Sequence, residues 1–458
     1  MKLNKYIVSL LIASSAFTFT GCNDFLDRSP LGEFTEDDKP GGSLDGQVFN
    51  IYTLMRNYNI TAGIPAFLIH NVRSEDSEKG NLTDEGSQRN KGEAYFFRAY
   101  TYFNLVRAFG EVPLVTFHIN DASEANIPKT TVDKIYAQID ADLKEAVKLL
   151  PQKWGAPYTG RLTWGAARSL QARTYMMRND WNNMYAAAND VISSGLYNLN
   201  IPYDQVFTDE GENCGESVFE LQCTATPAKP GSEEIGSQFC QVQGVRGSGQ
   251  WDLGWGWHMG TSLIGKAYEK GDPRKDATLL YFRRSPNDPI TPDNTNKPYG
   301  ESPVSSAMGA YFNKKAYTNP AKRLEFNRYG FWVNIRLIRY SDVLLMAAEA
   351  ANELGNVSTA LEYLEMVRAR ARWNDDTILP KITTTNPTEL REAIHAERRV
   401  ELGLEPDRFY DLVRWGTAAQ VLHAAGKTNY QHKHRYLPLP QDEIDKSDGI
   451  LVQNPDYQ

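Results

Sequence analysis

The 458-residue chain carries 49 Lys and Arg against 57 Asp and Glu, a net charge of -8, with 41% hydrophobic and 23% charged residues. Such a composition is ordinary for a globular protein with a sizeable core or two to three lobes. The acidic balance disfavours nucleic acid as a partner, because phosphate binding needs a basic surface. Aromatic residues reach 11%, with 24 Tyr and 9 Trp, enough to fill a core and leave some rings for flat ligands or partners.

Residues 1–21 start with Lys2 and Lys5, continue as an apolar run from Tyr6 to Phe19, and end in small residues before Cys22. This pattern predicts a secretory signal peptide. The run is too short for a membrane span, which needs ~20 apolar residues. Phe19-Thr20-Gly21-Cys22 resembles the bacterial lipobox, with Phe19 where leucine is favoured. That resemblance implies diacylation of Cys22, and acyl chains hold a protein to a membrane at about 0.8 kcal/mol per buried methylene. Residues 22–43 read as a tether broken by Pro30, Pro40, Gly41 and Gly42. The acidic residues near its start resemble the surface-export signal of Bacteroidota lipoproteins.

The region 44–195 reads as an N-terminal helical part. A helix is predicted from about Leu44 to Tyr58. Residues 60–90 then form a long polar loop containing Arg73 and Asp76, and a loop of that length is more often functional than filler. From Lys91 to Phe109 the pattern is aromatic and nearly apolar all round, which predicts a helix buried on most sides and ended by Gly110. The stripe Ile135, Ile139, Leu143, Ala146 predicts a helix over 132–150, stopped by Pro151. A helix pair follows over 163–195, turning at Asn179-Asp180.

Residues 196–331 lack sustained helical periodicity. Val218 to Gln222 alternates like a strand, and 262–270 is briefly helical. Glycines 244, 247, 249, 254, 256 and 260 are interleaved with Trp251, Trp255, Trp257 and His258, and Tyr311 comes farther on. The glycines match neither a P-loop nor a dinucleotide fingerprint.

The C-terminal part, 332–458, returns to helical spacing. Val343, Met346, Ala347, Ala350 and Leu354 form an apolar stripe, with Ser341 as a candidate N-cap and Gly355 as the stop. The stripe resumes at Ala360, Leu361, Leu364 and Val367, with Thr359 and Glu362 placed as a capping box. The pair spans roughly 32 residues, close to the ~34-residue tetratricopeptide period. Asn386-Pro387-Thr388-Glu389 announces another helix, which carries Glu397 to Glu401 and leads to Arg408 and Trp415.

Chemistry-bearing motifs are sparse. Cys214, Cys223 and Cys240 could supply one disulfide and one thiol. They lack zinc-ligand spacing, and His432-Lys433-His434 lacks a partner set, so no metal and no cofactor is assigned. Glu397 and Glu401 lie four apart on one helix face, where they could act as acid and base on a glycosidic bond. Pairing with the adjoining Arg398 and Arg399 is a sufficient reason for both. The tryptophan-glycine stretch is the best site candidate, because indole faces stack on the C–H faces of sugar rings.

Taken together, these strings resemble the SusD/RagB family of glycan-binding surface lipoproteins. The matching stretches, in order, are Cys22 with Asp24 to Asp27, then Ala94 to Tyr100 with Phe109-Gly110 and Val112-Pro113-Leu114. Gly165 to Arg173 follows, then Tyr268 with Gly271-Asp272-Pro273-Arg274, and Arg339 to Ala350. Glu397-Arg398-Arg399 through Trp415, Tyr436 to Pro440 and Asn454 to Tyr457 complete the set. The resemblance implies a mainly α fold. Tetratricopeptide-like helix pairs would scaffold an irregular, loop-rich region carrying short strands. It also implies a non-enzymatic role at the cell surface: capture of oligosaccharides and delivery to a SusC-like TonB-dependent transporter in the outer membrane. The alternatives are a structural lid subunit with a peptide ligand or no direct sugar ligand, and a glycoside hydrolase. The family has no fixed motif for its glycan contacts. The candidate contacts therefore come from the aromatic reading and the polar loop: Trp251, Trp255, Trp257, Tyr311, Arg73 and Asp76.

Overall fold

The computed structural model describes residues 84–458, apart from 120, 122, 123, 125, 157, 282–297 and 302–310. The leader, Cys22, the tether, the helix expected at 44–58 and the loop with Arg73 and Asp76 lie outside the described residues. Residues 88–458 belong to one compact unit.

The first described helix, α1 (Asp84–Phe109), begins several residues earlier than the sequence pattern implied. It is followed by the short strands β1 (Val112–Pro113) and β2 (Lys129–Thr130), which pair antiparallel. Next come α2 (Val132–Leu149), α3 (Trp164–Met177) and α4 (Trp181–Ser193). Thr163 caps α3 by accepting from the Ala166 N–H, and Asp180 caps α4 by accepting from the Asn183 N–H, each satisfying a first-turn donor that the helix itself leaves unpaired. The α1 helix is buried along one face only. Phe96, Ala99, Phe103 and Val106 face the core, whereas Phe97 is half exposed. The expectation of burial on most sides is thereby corrected.

The irregular region starts with β3 (Ser217–Leu221), continues through the short helices α5 (Phe239–Gln243), α6 (Ser262–Gly265) and α7 (Arg274–Thr278), and reaches β4 (Leu279–Tyr281). Beyond it lie β5 (Tyr311–Asn313), α8 (Pro320–Glu325) and β6 (Ile335–Arg339). β4 pairs antiparallel with β5, and β3 with β6 through a bulged register that sets Ser217 opposite Arg339.

β6 runs directly into α9 (Tyr340–Glu353), the central helix. Its residues from Tyr340 to Asn352 are all buried, so the expected one-sided stripe is a fully enclosed helix. The reason is that helices from both ends of the chain surround it: α3, α4, α10 (Val357–Arg372) and α11 (Pro387–Glu401). Ser341 is not the N-cap. Arg339 occupies that place, and the Ser341 hydroxyl instead donates to Glu216. The Thr359/Glu362 capping box does not form either, because α10 starts earlier, at Val357. Asn386 does cap α11, accepting from the N–H groups of Thr388 and Glu389.

The chain closes with α12 (Arg408–Arg414), α13 (Ala418–Ala424) and α14 (Gln441–Lys446). The tail returns to the end of α1. The Leu437 N–H donates to Ala108 O, and the Asn454 side-chain amide donates to Phe109 O. Gly110 turns there at φ +75°, where a Cβ would stand 3.0 Å from the Tyr436 ring. This close approach explains the Phe109-Gly110 pair and why the tail strings accompany it.

Helical packing buries a continuous apolar core, but ion pairs hold the irregular region against it. Glu401, at the end of α11, accepts from Arg274 (3.1 Å), Arg339 (2.9 Å) and Arg370. Glu216, just before β3, accepts from Arg339 and Arg370. Glu397 accepts from Arg274 and Arg368. A second cluster joins Asp342 to Arg173 and Arg398, Asp411 to Arg398 and Arg414, and Glu349 to Arg414, His395 and Trp415. Glu397 and Glu401 are therefore paired across elements and not with the adjoining Arg398 and Arg399. Cys214, Cys223 and Cys240 are all free thiols, and burial pushes Cys240 up to about 12 and Cys223 up to about 11.

Burial alone would raise the carboxyl pKa values of Glu401, Glu349 and Asp342. The surrounding guanidinium groups outweigh it, and all three end well below their ordinary values of 4.5, 4.5 and 3.8. A depressed folded-state pKa means that the unfolded chain takes up protons first as pH falls. Stability should therefore be level from neutral pH down to about 5 and drop steadily below about 4.5. Thermal melts between pH 7 and pH 3 check this, and Glu401→Gln should shallow the acid slope while lowering the melting temperature at pH 7.

Candidate functional site

The tryptophan-glycine stretch folds back onto the end of α5. A helix leaves its last carbonyls without intrahelical partners. Here Gln241 O accepts from the Trp255 N–H at 2.8 Å, Val242 O from the Trp257 N–H at 3.0 Å, and Gly244 O from the Gly256 N–H at 2.9 Å. Such backbone contact requires glycine. A Cβ at Gly254 would lie 2.0 Å from Gln241 O, and one at Gly244 would lie 2.3 Å from Leu253 O. The glycines that match no phosphate loop thus serve to press one backbone against another.

This clasp exposes two of the three tryptophans. Trp255 is 38% and Trp257 58% exposed, with ring centroids 5.1 Å apart and planes inclined by 55°. Trp251 is a core residue, 1% exposed, packed with Val245, Leu253, Leu280, Phe312 and Tyr317. Tyr311 is likewise internal at 3% exposure, edge-on to Tyr281 at 5.8 Å. Neither offers a face to a ligand in this arrangement, so the candidate contacts in the described region reduce to Trp255 and Trp257. Sequence spacing did not separate them, because all three tryptophans lie within seven residues of one another amid glycines.

The structure adds Tyr299, half exposed, which stacks on Tyr317 at 6.3 Å and 21°. Burial of its hydroxyl pushes Tyr299 up to about 12. Tyr317 donates to Glu301, which also receives both bonds of Arg323 at 3.1 Å. Trp251 lies against the same Tyr317 ring at 5.9 Å, so an aromatic column runs from the core to the surface at Tyr299.

After Trp257 the chain turns at His258, with φ 56°. His258 Nδ1 lies 2.9 Å from Gln243 Oε1, and burial lowers its pKa. His258 and Met259 form one wall of a cavity of about 320 Å³ whose other walls are α6, the end of α11 and α12–α13, at the lower end of the roughly 300–1,000 Å³ typical of ligand pockets. His432 and His434 lie apart in a local turn, where His434 Nδ1 accepts from the Gln431 N–H and His432 contacts Arg435. Among the described residues no cluster of His, Cys, Asp or Glu could hold a metal ion.

A family model described as SusD family matches residues 261–457, and one described as starch-binding associating with outer membrane matches residues 68–176. Both stretches of the chain are thus similar to SusD/RagB proteins. A SusD-like protein of Formosa agariphila is 29% identical over 83% of the chain and 77% of its own length. A laminarin-binding SusD-like protein of known structure superposes with a TM-score of 0.67 at 27% identity, covering 83% of this chain and 81% of that one. Surface glycan-binding protein A from Bacteroides thetaiotaomicron, solved in complex with laminarihexaose, gives 0.66 at 26% identity, covering 82% and 80%. SusD-like proteins are carbohydrate-binding and non-catalytic, and the description of the second model adds association with the outer membrane. Glu397 and Glu401 are buried inside arginine pairs, so neither carboxylate is placed to reach a glycosidic bond. No described helix is long and apolar enough to cross a membrane.

The two classes of tryptophan should separate in stability measurements. Trp251→Ala should cost about 3–5 kcal/mol, as large-to-small core changes do. Trp257→Ala should stay within about 0.5 kcal/mol of wild type. Chemical denaturation midpoints of the two variants check the assignment.

Proposed function

We propose that the protein is a lipid-anchored, cell-surface oligosaccharide receptor that delivers glycan to a SusC-like TonB-dependent outer-membrane transporter. The observation that carries the sugar site is the exposed Trp255–Trp257 pair. Indole presents a wide apolar face at little cost in side-chain entropy. Backbone bonds to α5 hold the two rings in place before ligand arrives, which limits the ordering cost of binding. The inclined planes suit successive residues of a twisting glycan chain better than a flat surface would. Arg73 and Asp76 of the polar loop remain candidate hydrogen-bonding partners for the hydroxyls.

Diacylation at Cys22 would supply the anchor, since several acyl chains together give stable attachment where one does not. The laminarin and laminarihexaose named for two relatives make β-glucan oligosaccharides the first ligands to offer.

Calorimetry of the purified protein with laminarihexaose and a panel of plant, host and microbial glycans tests the reading. A binding glycan is expected, and Trp255→Ala or Trp257→Ala should weaken it by about 2 kcal/mol, roughly 30-fold. Unchanged affinity in both variants would move the sugar elsewhere. Silence across the panel, together with co-purification of the barrel, would favour a structural lid subunit.

A further inference from the structure

The cavity beyond Trp257 has an unbalanced charge. Its carboxylates are all committed to cations of the scaffold. Asp411 is bound by Arg398 and Arg414, Asp407 by Arg107 and Arg173, and Glu405 by Lys315 and Arg339. Its other cations are not matched in return. Arg399 donates to the Leu263 carbonyl at 3.2 Å and makes no ion pair with a described carboxylate. Arg408 lies 5.5 Å over the Trp415 ring and has no hydrogen-bond acceptor among the described residues. Arg398 also lines the cavity, and its Nη2 is buried with no acceptor, although its Nε and Nη1 are bound by Asp411 and Asp342. Two guanidinium groups without carboxylate partners, Arg399 and Arg408, therefore border one space in a protein whose overall charge is -8.

Cations gathered side by side repel one another and lose solvation, and Asp411, already held by two arginines, offsets this only in part at Arg408. Burial and the neighbouring Arg399 bring Arg408 down to about 10, and burial lowers Arg399 as well. Carboxylates meet the arginines of the buried clusters around Glu401 and Asp342, whereas Arg399 and Arg408 border a cavity with no ion pair to a described carboxylate, an arrangement that suits an anionic ligand. The remaining lining is apolar, from Met259, Leu263, Ile264, Leu412, Val421 and Leu422. An inorganic ion would leave that surface uncovered. A sugar ring, with apolar C–H faces and one charged substituent, covers it and neutralises the cations together.

We propose that this cavity is an anion-selective subsite that receives the carboxylate or sulfate of an acidic sugar residue, with Arg399 and Arg408 as its ligating cations. Guanidinium forks match both oxyanions with paired, charge-assisted bonds. The subsite rests on the glycan-receptor reading and narrows it to acidic polysaccharides. Its wall begins at His258, the residue that follows Trp257 in the chain.

The test is calorimetry of the whole protein with trigalacturonate, its methyl ester and a sulfated galactose oligosaccharide, for wild type, Arg399→Gln and Arg408→Gln. At least one acidic ligand should bind roughly ten-fold or more tightly than the uncharged ester, and each substitution should erase that advantage. Binding of the acid, but not of the ester, should weaken as salt is added. Preference for uronate or for sulfate identifies which anion the site takes. Both variants should melt close to wild type, because Arg399 loses one backbone hydrogen bond and Arg408 one ring contact, and neither has an ion pair with a described carboxylate. Equal binding of acid and ester, wild-type affinity in both variants, or no response to either acid would overturn the proposal. Laminarihexaose binding that depends on Trp257, with no response to acids, would overturn the subsite and leave the receptor reading standing. Arginine-dependent binding of an acid without any effect of Trp255→Ala or Trp257→Ala would uphold the subsite and displace the tryptophan site.

Discussion

Glu401 takes three arginines at once, and each comes from a different part of the chain. Arg274 belongs to the irregular region, Arg339 ends the strand that leads into the central helix, and Arg370 lies on the neighbouring helix. All four groups are buried. A charge in such a place is tolerated only with its partners present, and removing one partner from a buried pair typically costs about 3–5 kcal/mol. The loops of the irregular region consequently cannot drift from the helical scaffold without stranding a charge. The apolar core makes the helices stack, and the ion network determines where the rest of the chain meets them.

That constraint reaches the candidate ligand surface through packing. Arg274 begins the short helix that precedes β4, β4 pairs with β5, and Leu280 and Phe312 from these strands pack around Trp251. Trp251 in turn lies in the loop whose next residues clasp the end of α5 and expose Trp255 and Trp257. The buried tryptophan anchors the loop, and the exposed pair is what the anchored loop presents. Rigidity here has a functional use, because ring positions held in advance reduce the entropy lost when a flexible oligosaccharide binds.

Much of this was legible in the chain. The positions and spacing of the helices over 132–150, 163–195 and 341–372 follow from apolar periodicity, and Asn386-Pro387 announced α11 through local capping chemistry. Such signals are readable because they depend on residues within one or two turns. Where the reading missed, a distant partner had intervened. Ser341 resembles an N-cap, but its hydroxyl serves Glu216, 125 residues away. The helix after Arg339 reads as one-sided, but helices from both ends of the chain enclose it. Glu397 and Glu401 have adjacent arginines at hand and pair instead with Arg274, Arg339, Arg368 and Arg370.

The sequence by itself determined a mainly helical scaffold with tetratricopeptide-like pairs, an aromatic and glycine-rich region apart from it, and the resemblance to SusD/RagB proteins. Periodicity, caps and residue order are properties of the linear chain. Only the tertiary structure decided which aromatics are walls and which are surface. Trp251, Trp255 and Trp257 share composition, neighbours and glycine context, and differ in what the rest of the fold packs against them. It also decided which arginines are spent, since Arg398 and Arg399 are neighbours in sequence and both line the cavity, yet Arg398 is held by Asp342 and Asp411 while Arg399 bonds only the Leu263 carbonyl. Burial and charge balance depend on residues hundreds of positions away, and no local pattern encodes them.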